Sequence, residues 1–570
     1  MRFWSICILL GAFVTACGTS KDAVVPSNVV DAADYPYIEK FHEGVRFKVK
    51  GQLQDAVQAF EACLAQKPND DAVIFALAQC YLLLNDRAKA AEFTERAAKI
   101  DPKNIWYTQE LAYMYFEQSR FEESAACFEK MVAKEPKNTD WWFGYAEVLK
   151  RLNKRQEAID AYTQMEDQLG VIPDLSIQKF DLYRQLKQDE KGLKELDKAR
   201  KMYPDDISLL GTYIDYYFEK RQIDKARDML VELVKADPNN GRANLALGEL
   251  YMRDNKKAQA YPYFKAAFTG EGVDIDTKMD VLLSFYEQQP TIEPEVFELA
   301  DLMVVKHPED AKSYTIQGDL FLKNSLKEDA LSSYREALKF DESKYDIWYQ
   351  VLMLEYQQSM FADLYKDARA CSALFPTLAN VQLLYTIACV QTGRYQEAID
   401  AADIGKELVI NDPITEAEFY AQKGEALFLL KSVKEGIENY DKAMSLDPAN
   451  QLTKNNFAMR LALANEQLDR ALKMIDEINS LYPKQAPFSD TKGMVLFQQG
   501  NYTEAYKFFE LANQLQPHNR NYVEHVGDVL FKLGDVPQAV LLWNEAKSLG
   551  SANKSLDKKI QNKTYYAPVY

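Results

Sequence analysis

Any metal or nucleophilic chemistry in this chain would fall to its four histidines (His42, His307, His518 and His525) and seven cysteines. No two of the histidines stand at zinc-ligand spacing with a third ligand nearby, and HEGVR (42–46) lacks the second histidine of a metalloprotease helix. Nucleophile-elbow, phosphate-loop and dinucleotide-loop motifs are absent, and no Cys–His arrangement is legible. The many carboxylates are scattered through amphipathic stretches, where solvated helix faces are expected for them. No enzyme, metal or cofactor is therefore expected, and the chemistry has to be that of binding.

One cysteine stands apart. Before Cys17 lie a single basic residue, Arg2, and an apolar run from Phe3 to Val14, too short to span a bilayer and of the length of a signal-peptide core. Val14-Thr15-Ala16-Cys17 resembles the lipobox of bacterial lipoproteins. That resemblance implies a removed leader (1–16), a diacylated Cys17 at the new N-terminus, and an outer-membrane address, since Gly18 stands where Asp would imply inner-membrane retention. The protein is expected to face the periplasm, with Ser20-Lys21-Asp22 a weak hint of surface exposure. Each buried CH₂ is worth ~0.8 kcal/mol, so several acyl chains on one residue hold a protein at a membrane almost permanently. Residues 18–34 carry few bulky side chains and read as a tether.

The chain of 570 residues is 47% apolar, which excludes disorder, and its net charge of −18 argues against nucleic acid as a partner, because phosphate binding needs clustered cations. Cys63, Cys80, Cys127, Cys371 and Cys389 have apolar neighbours and no CxxC spacing, so buried free thiols are expected. Cys63–Cys80 and Cys371–Cys389 are the only candidate disulfides.

The elements that position everything else come from a repeat. Pro68, Pro102 and Pro136 are 34 residues apart, as are Pro204 and Pro238, and Pro483 and Pro517. On this period the eighth place is small (Gly44, Ala78, Ala112, Ala146, Gly248, Gly318, Gly424, Ala458, Gly493, Gly527) and the twentieth is mostly Ala. Four places later stands a ring: Phe60, Phe128, Tyr162, Phe264, Tyr334, Tyr440, Phe509 or Trp543. Small residues let two helices approach, the ring fills the space beside them, and the proline ends the second helix. In DPKN, DPNN and DPAN the asparagine is placed to cap the next helix.

This pattern resembles the tetratricopeptide repeat family over about residues 37 to 550. The resemblance implies an all-α, right-handed α-solenoid of about fifteen stacked helix-turn-helix units. The expected organisation is leader (1–16), tether (17–36), N-terminal array (37–274), irregular unit (275–310), C-terminal array (311–550), and capping helix with tail (551–570). Departures at 173–206 (Gly192 at place twenty), Pro262, TIEPE (291–295) and an insertion near Asn411 are expected to mark bends or projecting loops.

In the family, places two, five, nine and twelve of each first helix line a concave groove. Here they include Phe75, Trp106, Tyr113, Phe116 and Phe143, and an acidic ninth place at Glu147, Asp215, Glu249, Asp319, Glu425 and Asp528. An aromatic anchor followed by an acidic track is expected to bind an extended or basic segment of a partner protein. The alternative in which the aromatics pack on one another and the acids are commonplace stays open. The expected function is a lipid-anchored scaffold in an envelope assembly, secretion or cell-wall complex. The alternative is a SusD-like glycan-binding lipoprotein, a family that interrupts a few repeats with long loops that build the sugar site, whereas here the repeats run almost unbroken.

Overall fold

A computed structural model describes residues 32–567, so Cys17, the leader and most of the tether lie outside the described residues. Among the described residues, thirty helices form fifteen antiparallel hairpins, A then B, followed by a short terminal helix, Leu556–Asn562. The chain divides into two compact units, one running to Pro238 with hairpins 1–6, the other from Asn239 with hairpins 7–15 and the terminal helix. Within each unit successive hairpins stack, so every helix buries its apolar stripe against its own partner and its neighbours. No helix among the described residues is long and apolar enough to cross a membrane.

The small and ring positions meet as their spacing predicts. A Cβ added to Gly44, Gly318, Gly493 or Gly527 would lie within 2.6 to 2.8 Å of the ring sixteen residues later: Phe60, Tyr334, Phe509 and Trp543. Ala56, Ala90, Ala158 and Ala260 at place twenty are wholly buried. Asn104, Asn240 and Asn450 accept hydrogen bonds from the N–H groups of Trp106, Ala243 and Thr453, closing the A-helix N-termini. Between the A and B helices of every hairpin but the eighth the chain reverses through a left-handed residue, such as Asn85 (φ 61) or Gly393 (φ 79).

These contacts set the cost of filling a small place. A Cβ at Gly248 would sit 2.9 Å from the Phe264 ring, so Gly248→Leu is expected to destabilise hairpin 7 by about 1–3 kcal/mol. Hydrogen exchange should show the loss in hairpins 7 and 8 and little change in hairpins 12 and 13, because contacts in a stack are local.

The irregular stretches are absorbed without projecting loops. Hairpin 5 (Pro173–Gln185, Asp189–Met202) exchanges sizes across the pair: the buried ring is Phe180 at place eight, and a Cβ on Gly192 would lie 2.8 Å from it. The helix Lys257–Thr269 runs on through Pro262. Near Asn411 the extra residues lengthen the next A helix to Pro413–Leu429. Within TIEPE, residues 291–293 lie in the turn of hairpin 8 and Pro294 opens its second helix; the turn is pinned where Asn324 Oδ1 accepts the Ile292 N–H (2.8 Å) and Asn324 Nδ2 donates to the Ile292 carbonyl (3.0 Å). The five cysteines are free thiols and four are buried; neither candidate pair is bonded. Burial pushes Cys371 and Cys389 up to about 12, keeping them protonated.

Candidate functional site

The predicted aromatics separate into two classes. Phe75, on Asp71–Leu83, packs against Tyr107 with ring centroids 4.7 Å apart, and Phe116 packs edge-on against Phe121 at 5.6 Å; both are half-buried and serve the packing of their hairpins. Trp106, Tyr113 and Phe143 are 64%, 44% and 52% exposed, well beyond what a core role requires of a large ring.

These three lie on adjoining A helices of the first unit. Trp106, Glu110 and Tyr113 stand at i, i+4 and i+7 on Ile105–Glu117, hence on one helix face. Phe143 is on Thr139–Arg151 of the next hairpin. The two helices meet over Phe128: Tyr113 packs edge-on to that ring at 5.5 Å, and Gly144, next to Phe143, comes so close that a Cβ there would lie 2.6 Å from it. Phe143 reaches Tyr162 on its other side, at 6.4 Å. Burial raises the Glu110 carboxyl. Tyr113 is raised by burial first and then by Asp140 and Glu110. The result is an open strip of rings with carboxylates beside them, suited to an apolar or aromatic anchor on a segment carrying positive charge. Glu110 and Gly144 were missed in the sequence reading; the i, i+4, i+7 spacing around Glu110 was the available signal.

The acidic ninth place does not form a continuous free track. Asp319 accepts the Tyr334 hydroxyl (2.6 Å), Glu425 accepts the Tyr440 hydroxyl (2.8 Å) and pairs with Arg460, and Asp528 accepts the Trp543 N–H (2.8 Å). In each case the ring fifteen residues later carries a hydrogen-bond donor that the stack would otherwise bury unpaired. Asp528 is itself buried, so it is no open groove residue. Glu147 is held by Lys150 (3.0 Å) and Arg151 (3.5 Å) of its own helix. Asp215 and Glu249 are exposed, and the residues fifteen later are Leu230 and Phe264, which have no donor.

The expectation that all carboxylates sit on solvated faces is corrected at several points. Glu166, Glu355, Asp490, Glu524 and Asp528 are buried. Burial, and then the adjacent Asp367, push Glu355 well up, against the pull of Arg335 at 2.6 Å. His525 Nδ1 lies 2.7 Å from Asp490 Oδ1; burial alone would lower the imidazole, but the charge and hydrogen bond of Asp490 together with the charges of Asp528 and Glu524 raise it. Among the described residues, no group of three or more His, Cys, Asp or Glu could hold a metal ion.

Tetratricopeptide repeat sequence models match residues 50–109, 110–169, 214–271, 417–450 and 490–519. A BBSome complex member BBS4 homolog of Drosophila melanogaster is 22% identical over 437 residues, covering 72% of this chain and 74% of that protein. The human mitochondrial import receptor subunit TOM70 is 21% identical over 415 residues, covering 69% of this chain and 67% of that protein. Among solved structures, a tetratricopeptide repeat protein from Parabacteroides merdae aligns with a TM-score of 0.39 and 12% identity, covering 44% of this chain and 98% of that one.

Proposed function

Because the chain is a tetratricopeptide-repeat protein, we propose that it is a non-enzymatic scaffold that binds a segment of a partner protein on the A helices of hairpins 3 and 4. The observation that carries this is the solvent exposure of Trp106, Tyr113 and Phe143 on adjoining helices. Large rings left in water add no burial energy to the fold, and rings of this size dominate binding energy when another surface covers them. The two relatives, named as a complex member and a receptor subunit, accord with a role in assembly. The lipobox-like VTAC stretch supports placing the scaffold on the bacterial outer membrane through Cys17, in an envelope assembly, secretion or cell-wall complex.

The binding proposal is tested by Trp106→Ala and Phe143→Ala in the full chain, with crosslinking in intact cells and partner capture from envelope extracts. Each is expected to weaken capture by ~2 kcal/mol or more, about thirty-fold, with helicity unchanged because the rings stand outside the core. Undiminished capture by both variants rejects the site. Anchoring is tested separately: Cys17→Ser is expected to move the protein from the membrane fraction to the soluble one, and a variant still wholly in the pellet with unchanged mass rejects it.

A further inference from the structure

The face presented by the A helices differs at the end of the second unit, where the chain covers itself. The terminal helix Leu556–Asn562 occupies the place of a sixteenth A helix: Lys559 reaches Glu524 across 35 residues, the same separation as His525 to Asp490 and Arg460 to Glu425. Lys559 Nζ lies 2.8 Å from Glu524 Oε1 and 2.6 Å from Asp528 Oδ1, wholly buried. The chain then reverses at Lys563 (φ 49) and returns past Arg520–Lys532, so that Tyr565 packs on Phe497 of hairpin 14 at 5.5 Å, with Lys532 Nζ 4.7 Å from its ring centroid. Ser555 Oγ donates to the Ala567 carbonyl at 3.0 Å and fixes the returning strand.

We propose that the A-helix face of hairpins 14 and 15 is a docking surface for a short segment bearing a lysine and, six residues on, a tyrosine, and that residues 551–567 are its resident, exchangeable occupant. Three observations carry this. Asp528 holds the same ninth place as Asp215 and Glu249, yet it alone of the three is buried, under Lys559. Without that lysine, Glu524 and Asp528 would be two carboxylates facing a common space, a surface that favours an incoming cation. The occupant is a seven-residue helix joined to hairpin 15 by the non-helical stretch 551–555. A helix of that length is not stable by itself in water, so its order comes from the surface it sits on. Its buried side chains are Leu556, packed with Trp543, and Lys559; Tyr565 packs on Phe497, and Ser551 and Asn553 donate hydrogen bonds to Glu524. A partner with the same lysine and tyrosine competes for the same contacts. The inference does not depend on the patch of hairpins 3 and 4, and the two are tested with different variants.

The experiment uses the full chain with a protease site inserted between Gly550 and Ser551, folded intact and then cut. The probe is a fluorescein-labelled synthetic peptide of residues 551–567. The cut chain is expected to exchange its own segment for the probe and to bind it at least tenfold more tightly than the uncut chain. A probe carrying Lys559→Ala should bind at least tenfold more weakly, and Tyr565→Ala in the uncut chain should increase uptake of the unaltered probe. Equal binding to cut and uncut chains overturns the proposal. So does a cut segment that resists replacement under large excess of probe, or one whose release abolishes amide protection in Arg520–Lys532, because the segment is then a fixed part of the fold.

Discussion

Lys179→Ala is expected to destabilise hairpins 4 and 5 by about 3 kcal/mol, seen as lost amide protection around Phe180 and Leu196 and as an earlier unfolding step in urea. Lys179 is wholly buried, 2.9 Å from Glu166 and 2.5 Å from Glu195, and Glu166 is buried as well. Removing the ammonium leaves a carboxylate in a dry site. Breaking a buried pair from one side costs about 3–5 kcal/mol, and the lower end applies because Lys198 (3.2 Å) and the Ser176 hydroxyl (3.2 Å) still reach Glu166. The double variant Lys179→Met with Glu166→Gln should recover most of the loss, since the stranded charge is then gone. A loss below about 1 kcal/mol in Lys179→Ala would mean that water enters this site and the pair is not buried in solution.

Trp543→Ala is expected to cost about 3–5 kcal/mol, confined to hairpins 14 and 15 and the terminal helix. The indole is fully buried, fills the space above Gly527, and donates its N–H to Asp528. Trp543→Phe separates the two contributions. It retains most of the volume and removes the donor, and because Asp528 keeps Lys559 the expected loss is about 1 kcal/mol. Hydrogen exchange on both variants reads the answer directly: protection in hairpins 9 and 10 should be unchanged. Loss spread evenly through the second unit would contradict a stack held by nearest-neighbour contacts.

The residues themselves explain why so much of this architecture was legible. In a stack of hairpins each residue touches only its own unit and the next, so the packing rule repeats along the chain and is written at fixed spacing. Gly44 under Phe60 and Gly527 under Trp543 are one contact at two ends of the protein, and sixteen residues separate the partners in both. The asparagine caps and helix-ending prolines are more local still. Hairpin 5 was less legible because Phe180 and Gly192 obey the same volume requirement with the sizes exchanged, which breaks the pattern of residue types and preserves the packing.

The candidate site divides in the same way. That Trp106, Tyr113 and Phe143 occupy A-helix faces follows from their places in the repeat, but their exposure depends on what stands opposite, as the covered Phe75 and Phe116 make plain. The ninth-place acids look alike in the sequence and differ in the fold. Asp319 and Glu425 are engaged by the hydrogen-bond donor of a ring fifteen residues away, Asp528 by such a ring and by a lysine thirty-one residues away in the capping helix, and Glu147 by Lys150 and Arg151 of its own helix. Periodicity along the chain thus determined the helices and their order. Tertiary structure decided the charge and accessibility of the surface, because desolvation depends on every group that comes to lie over a side chain, including those that no repeat predicts.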